Sequence, residues 1–280
     1  MRRKVLRADA AGFCEGVARA VNEVRRRALA GERLATLGPL VHNPIVVAEL
    51  EALGVRVISA PSDYQAGETV VIRTHGVAPS VKLEFEKAGA KILDLTCTRV
   101  ARVQKLVARA ASEGRPVVIA GDPNHAEAVG LKGFSGNLGV VVPGPDYEFQ
   151  LPLGASVLVV SQTTQNPDSF QKVAQTVQQK AEEVEIINTI CAFTVKRQEG
   201  VRALLGKVGA AIVVGGRMSA NTQRLVEVFE KANVPVQHVE TEADIDFDAF
   251  GGAAVIGVAA GASTPPEVVD RIIEAIEEAS

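Results

Sequence analysis

Two hydrophobic rhythms alternate along the chain. Behind each of three cysteines, in "CEGVARAVNEVRRRAL", "CTRVARVQKLVARAAS" and "CAFTVKRQEGVRALLG", apolar residues recur at three- and four-residue steps, the period of an amphipathic helix. Each stretch gives way to a short apolar run that stops at glycine and polar residues: "RLATLGPLVHN", "PVVIAGDPNHAE" and "AAIVVGGRMSAN". Short apolar runs bounded by turn residues predict strands that end in Gly turns. A second helix and strand follow, clearest in "NPIVVAELEALGVRVIS" and "NTQRLVEVFEKANVPVQHV", and a third strand then reaches another polar turn, in "TVVIRTHGVAPS", "SVLVVSQTTQNPDS" and "AAVIGVAAGASTPPE". The second helix of the middle copy, within "AEAVGLKGFSGNLGVVV", is rich in glycine and is expected to be short.

After the third turn one more helix leads into the strand that carries the next cysteine. In the last copy the chain ends at that helix, "PPEVVDRIIEAIEEAS", and the missing strand is supplied by the N-terminal "RRKVLRADAAGFC". Recurrence at intervals of about 80 to 100 residues suits small βαβ lobes rather than a solenoid. The expected fold is α/β, with three similar lobes in pseudo-threefold symmetry about a centre. Their bounds are 14–96, 97–190, and 191–280 completed by the N-terminal strand 1–13.

Composition narrows the function classes. With 47% hydrophobic and 22% charged residues in 280, the chain reads as an ordinary soluble globular protein. A net charge of −3 and no Lys/Arg run interleaved with aromatics argue against a nucleic-acid partner. Nowhere do about 18 uncharged apolar residues run together, so no membrane span is expected. The basic N-terminus is too short and broken in its apolar part for a signal peptide, which places the expected location in the cytoplasm. Three cysteines cannot all pair within one chain, and a reducing compartment turns them towards ligand or nucleophile roles.

In open α/β sheets ligands collect beyond the carboxyl ends of strands, beside helix N-termini. Cys14, Cys97 and Cys191 and both sets of polar turns fall at such ends. Three lobes about one axis would aim the three thiols at one centre, and the helix N-termini with Arg19, Arg102 and Lys196 favour thiolate. A structural zinc site normally takes four ligands and shows close CxxC or HxxxH pairs, which are missing here. Three thiolates suit an iron–sulfur cluster that leaves one iron without a protein ligand, free to act as a Lewis acid.

The turns add His42 and Asn43, His75 with Gly76, Asn124 with His125 and Glu127, Thr163 and Thr164, Ser219 and Asn221, and Ser263 with Thr264. Neutral or cationic donors with a single well-placed carboxylate favour an anionic ligand, most simply phosphate or diphosphate. Glu127, two residues from His125, is placed to deliver a proton, although a carboxylate in the first turn of a helix is also favoured by the dipole. His238, in "VPVQHVE", reads as structural.

Taken jointly and in order, "AGFCEGVARAV", "GPLVHNPIVV", "RTHGV", "DLTC", "HAEAVG", "SQTTQ", "NTICAFTVKRQ", "SANTQRL" and "GASTPP" resemble the 4-hydroxy-3-methylbut-2-enyl diphosphate reductases, the LytB or IspH family, over nearly the whole chain. The resemblance implies three α/β lobes around a central 4Fe–4S cluster, readily isolated as 3Fe–4S. Cys14, Cys97 and Cys191 are its implied ligands. His42, His75, His125, Thr163, Thr164, Ser219, Asn221 and Ser263 are the implied substrate-binding set. Glu127, Thr163 and His125 are the implied catalytic residues, with Glu127 as proton donor during a two-electron removal of the allylic hydroxyl. The implied partners are a small allylic diphosphate and a ferredoxin or flavodoxin as electron donor. The chain departs from the family at Thr98 and Arg99, where Pro and an apolar residue are usual, and at Met218 and Ala220, where Asn and Ser are usual. Several of these departures are expected to fall inside the pocket rather than on the surface, and they leave open a paralogue acting on a related allylic alcohol, or a non-catalytic iron–sulfur sensor.

Overall fold

A computed structural model describes residues 3–152 and 156–279. Residues 1, 2 and 280 of the expected third lobe and 153–155 of the expected second lie outside the described residues. The chain runs β1 (Lys4–Arg7), α1 (Glu15–Leu29), β2 (Leu34–Leu37), α2 (Pro44–Ala52), β3 (Arg56–Ile58), β4 (Thr69–Ile72), α3 (Pro79–Lys87) and β5 (Lys91–Asp94). It continues through α4 (Thr98–Ser112), β6 (Val117–Ala120), α5 (Ala126–Ser135), β7 (Gly139–Val142), β8 (Ser156–Ser161), α6 (Pro167–Gln178) and β9 (Glu183–Ile186). Last come α7 (Ala192–Arg202), β10 (Ala210–Val214), α8 (Ala220–Lys231), β11 (Val236–Val239), β12 (Val255–Ala260) and α9 (Pro266–Glu278).

These strands form three four-stranded parallel sheets, ordered β3-β2-β4-β5, β7-β6-β8-β9 and β11-β10-β12-β1. The N-terminal strand takes the expected place: β1 pairs with β12, Lys4 opposite Val255, as β5 pairs with β4 and β9 with β8. Burial explains the sequence pattern. The inner strands β4, β6 and β10 are buried along their whole length and so read as unbroken apolar runs, whereas β1, β5 and β9 sit at sheet edges and mix in polar residues. Where β2, β6 and β10 end, a glycine N–H donates to the last carbonyl of the neighbouring edge strand: Gly38 to Ile58 (2.7 Å), Gly121 to Val142 (3.0 Å) and Gly215 to Val239 (2.9 Å). The same local turn is thus made three times, and each one launches a polar loop.

The chain divides into two compact units. The first, Met1–Arg25, Leu40–Leu53 and Ala192–Ser280, contains the sheet of β1, β12, β10 and β11. Val268, Val269, Ile272 and Ile276 of α9 cover one face of it, while Val201 of α7 and Leu225 and Phe229 of α8 cover the other. Each fully buried side chain of this kind contributes about 1.5–3 kcal/mol. The second unit, Arg26–Pro39 and Gly54–Cys191, contains the other two sheets. In its β6–β9 sheet, α4 and α5 pack on one face through Val103, Val107 and Leu131, and α6 on the other through Phe170, Val173 and Val177. In the β2–β5 sheet Phe85 of α3 is fully buried against Ala35 and Val70.

The expectation of a short second helix in the middle copy is not met, because α5 runs for 10 residues. Its glycines permit close packing. A Cβ on Gly133 would overlap Ala78, and one on Gly130 would touch the Val77 backbone at 3.6 Å. Packing against the entry to α3 outweighs the roughly 1 kcal/mol that each interior glycine costs a helix.

Candidate active site

Each cysteine stands immediately before a helix: Cys14 before α1, Cys97 as the N-cap of α4, Cys191 before α7. None is in a disulfide, and all three are partly exposed. Each backbone N–H donates to a carbonyl in the polar turn after a central strand: Cys14 to Ala262 (3.3 Å), Cys97 to Thr74 (3.0 Å) and Cys191 to Thr163 (2.8 Å). The turns "GAST", "RTHG" and "QTTQ" therefore fix three cysteines in equivalent local frames.

In the second unit the polar turns build a compact group. Glu127 is 2% exposed, and both its carboxylate oxygens are bonded by one residue. Thr163 N–H donates to Oε1 at 2.6 Å and Thr163 Oγ1 donates to Oε2 at 2.7 Å. Burial pushes the Glu127 carboxyl up to about 7, and the two Thr163 bonds hold it back from rising further. His125 caps α5, its Nδ1 accepting from the Glu127 N–H at 3.2 Å. In the neutral imidazole that leaves the ring proton on Nε2, a donor for an anion. The His75 ring meets His125 edge to face, centroids 5.3 Å apart. Gly76 adopts φ +70, and a side chain there would collide with Gln104.

Thr164 Oγ1 accepts from Gln162 Nε2 at 2.6 Å, and the same Gln162 accepts from Asp122 N–H at 3.1 Å. Gln162 thereby ties two of the polar turns together. Sequence reading passed over it because an isolated Gln beside two threonines carries no periodic signal. Asn124, expected among the pocket donors, is exposed.

In the first unit, Ser263 Oγ donates to the His42 carbonyl at 3.3 Å, and Gly216 lies so close to that carbonyl that no Cβ could be accommodated. Asn43 caps α2, its Oδ1 accepting from Ile45 and Val46 N–H, and Ser219 caps α8. Asn43 and Asn221 are 2% and 6% exposed, yet neither Nδ2 has a hydrogen-bond partner. Buried donors are normally paired, so two unsatisfied carboxamide N–H₂ groups among these turns fit an anionic ligand that would accept from them. Thr264 instead serves the scaffold, donating to the Val214 carbonyl at 2.9 Å. His238 keeps its structural reading, with Nε2 2.8 Å from the Gly215 carbonyl.

Met218 corrects one expectation. It is 79% exposed, so this departure from the family pattern faces outward, while its neighbour Ser219 is buried. Sequence reading also missed Gln198 on α7, which is 1% exposed with neither amide atom bonded. Among the described residues no three His, Cys, Asp or Glu side chains are gathered so as to hold a single metal ion.

The family described as LytB protein matches residues 5–277. The 4-hydroxy-3-methylbut-2-enyl diphosphate reductase of Caldanaerobacter subterraneus is 38% identical over 279 residues, covering 98% of this chain and 96% of that one. The Aquifex aeolicus reductase is 36% identical, with coverage of 98% and 96%. Among solved structures, the Plasmodium falciparum E-1-hydroxy-2-methyl-but-2-enyl-4-diphosphate reductase superposes with a TM-score of 0.92 at 26% identity, covering 98% of this chain and 88% of that one. A second, described as the terminal enzyme of the non-mevalonate pathway, gives 0.70 at 35% identity with 99% of both chains covered. With its sheets, its cysteine turns and a match spanning residues 5–277, the chain belongs to the LytB family.

Proposed function

We propose that this chain reduces (E)-4-hydroxy-3-methylbut-2-enyl diphosphate to isopentenyl and dimethylallyl diphosphate, the last step of the non-mevalonate isoprenoid pathway. Family membership and the activities named for its relatives support the reaction. The observation within the chain that carries it is Glu127, a buried carboxyl gripped by Thr163 and half-protonated at about pH 7. The reaction breaks the allylic C–O bond, takes up two electrons and two protons, and releases water.

Cys14, Cys97 and Cys191 are the proposed ligands of a 4Fe–4S cluster that leaves one iron without a protein ligand and is readily isolated as 3Fe–4S. The donor set fits, since all three are free thiols at the starts of helices. A cluster, unlike a single metal ion, would not require its cysteine ligands to converge on one point. When bound, the cluster supplies electrons and a Lewis-acidic iron.

Glu127 and Thr163 manage the proton. The Thr163 N–H cannot reverse, so Oε1 remains the acceptor and Oε2 is the oxygen that carries the proton. With Oε2 protonated, the Thr163 hydroxyl turns to accept from it and points its own hydrogen at the substrate hydroxyl. Proton transfer along this pair converts the leaving hydroxyl to water. His42, His75, His125, Thr164, Ser219, Asn221 and Ser263 are assigned to the substrate, with most of their donors going to the diphosphate. A ferredoxin or flavodoxin is the proposed electron donor, and the cytoplasm, where thiols stay reduced, the proposed compartment. The three lobes are proposed as 14–96, 97–190, and 191–280 with 1–13. Among the described residues no helix is long and apolar enough to cross a membrane.

Glu127→Gln tests this assignment. Assayed anaerobically with reduced methyl viologen, the variant should retain its iron and lose roughly 10²–10⁴-fold in turnover. Turnover equal to wild type would remove Glu127 from the reaction.

A further inference from the structure

The loop between β1 and α1 carries Cys14 and is built from unfavourable backbone. Ala10 has φ +60 and Gly12 φ +103, two left-handed residues within five positions of the cysteine. A non-glycine residue held there costs on the order of 1 kcal/mol and persists only where its surroundings enforce it. One side of the loop is set by the turn after β12: Cys14 N–H bonds the Ala262 carbonyl, and a Cβ on Gly12 would rest 3.5 Å from the Thr264 carbonyl.

The other side is α7. Arg197 is 3% exposed, and its Nη2 donates to the Gly12 carbonyl at 2.6 Å. One helical turn on, Gly200 lies against Asp9, where a Cβ would come within 2.8 Å of the Asp9 carbonyl oxygen and 3.1 Å of its nitrogen. Two separate features of one helix face therefore seat it on both ends of the same loop. A guanidinium is permanently charged and its burial is costly, and the bond to the Gly12 carbonyl is one of the contacts that offset that cost.

We propose that Arg197, with Gly200, is a clamp that positions Cys14. Arg197 acts through the loop as a positioning residue, and α7, the helix that Cys191 precedes, is thereby coupled to the placement of Cys14. The consequence for iron retention rests on the ligand assignment proposed above, whereas the effect on the thiol itself does not.

The test compares full-length wild type, Arg197→Lys and Gly200→Ala. Both substitutions keep the positive charge, so a change at Cys14 reports geometry rather than electrostatics. Iodoacetamide modification of each cysteine is followed by mass spectrometry on the chain as purified, and iron release to a ferrous chelator is timed after anaerobic reconstitution. Cys14 should react at least ~10-fold faster in both variants while Cys97 and Cys191 stay within about 2-fold, the pattern of one loop opening locally. Iron release should accelerate alongside. An unchanged or slower Cys14, or equal acceleration of all three cysteines, would overturn the clamp. If Gly200→Ala does not fold, Arg197→Lys decides alone. If the wild type takes up no iron, the reductase assignment falls and the cysteine rates still decide the clamp.

Discussion

Glu127 titrates near neutrality because it is buried, and that has a consequence for stability as well as for proton delivery. Its folded-state value of about 7 stands above the ordinary 4.5, so the native state holds a proton that the unfolded chain releases between those two values. Stability associated with this group is therefore full below pH 4.5 and declines as pH rises towards 7, by about 3 kcal/mol in all. Glu127→Gln removes the ionisation and should flatten this slope. Urea unfolding at pH 5 and pH 8 should show a smaller loss for the variant than for wild type, and equal losses would contradict the buried ionisation. From sequence, Glu127 could be singled out by its turn beside His125, but a carboxylate favoured by the helix dipole read equally well. Only the two Thr163 bonds, made across 36 positions of chain, separate those readings.

At the scale of elements, helices and strands were legible because each buries a face or a whole run, and burial writes itself into periodicity. The helix following Cys97 begins and ends where its apolar stripe does, and the edge strands betray themselves by their polar residues. Close approaches between distant segments left no such trace. The glycines of α5 read as helix breakers although they are contact points, and nothing in the local pattern singles out Arg197, which is buried. Gly216 belongs to the same class, pressed against the His42 carbonyl in the turn that leads to Ser219 and Asn221. Gly216→Ala would force those backbones apart, with an expected destabilisation of about 1–3 kcal/mol. Displacement of His42 should also raise KM for the diphosphate roughly 10-fold, more than it lowers kcat. Steady-state kinetics beside a thermal melt would check both, and unchanged values would mean that the turn yields freely.

For the whole molecule, the recurrence of cysteine, helix, strand and polar turn was enough to anticipate three parallel sheets and to send the N-terminal strand to the last of them. The identities of the turn residues, rather than the architecture, then suggested the chemistry, because they combine several neutral donors with one acid, Glu127. What the sequence could not express is which donors stay unsatisfied. The bare Nδ2 groups of Asn43 and Asn221 emerge only once the backbone is folded around them. Together these parts are proposed to reduce an allylic diphosphate. The most direct test is anaerobic incubation of the reconstituted chain with (E)-4-hydroxy-3-methylbut-2-enyl diphosphate and reduced methyl viologen, with iron content and products measured together. The substrate should be consumed, and isopentenyl and dimethylallyl diphosphate should form. A fully loaded cluster that leaves the diphosphate untouched would contradict the proposed reduction.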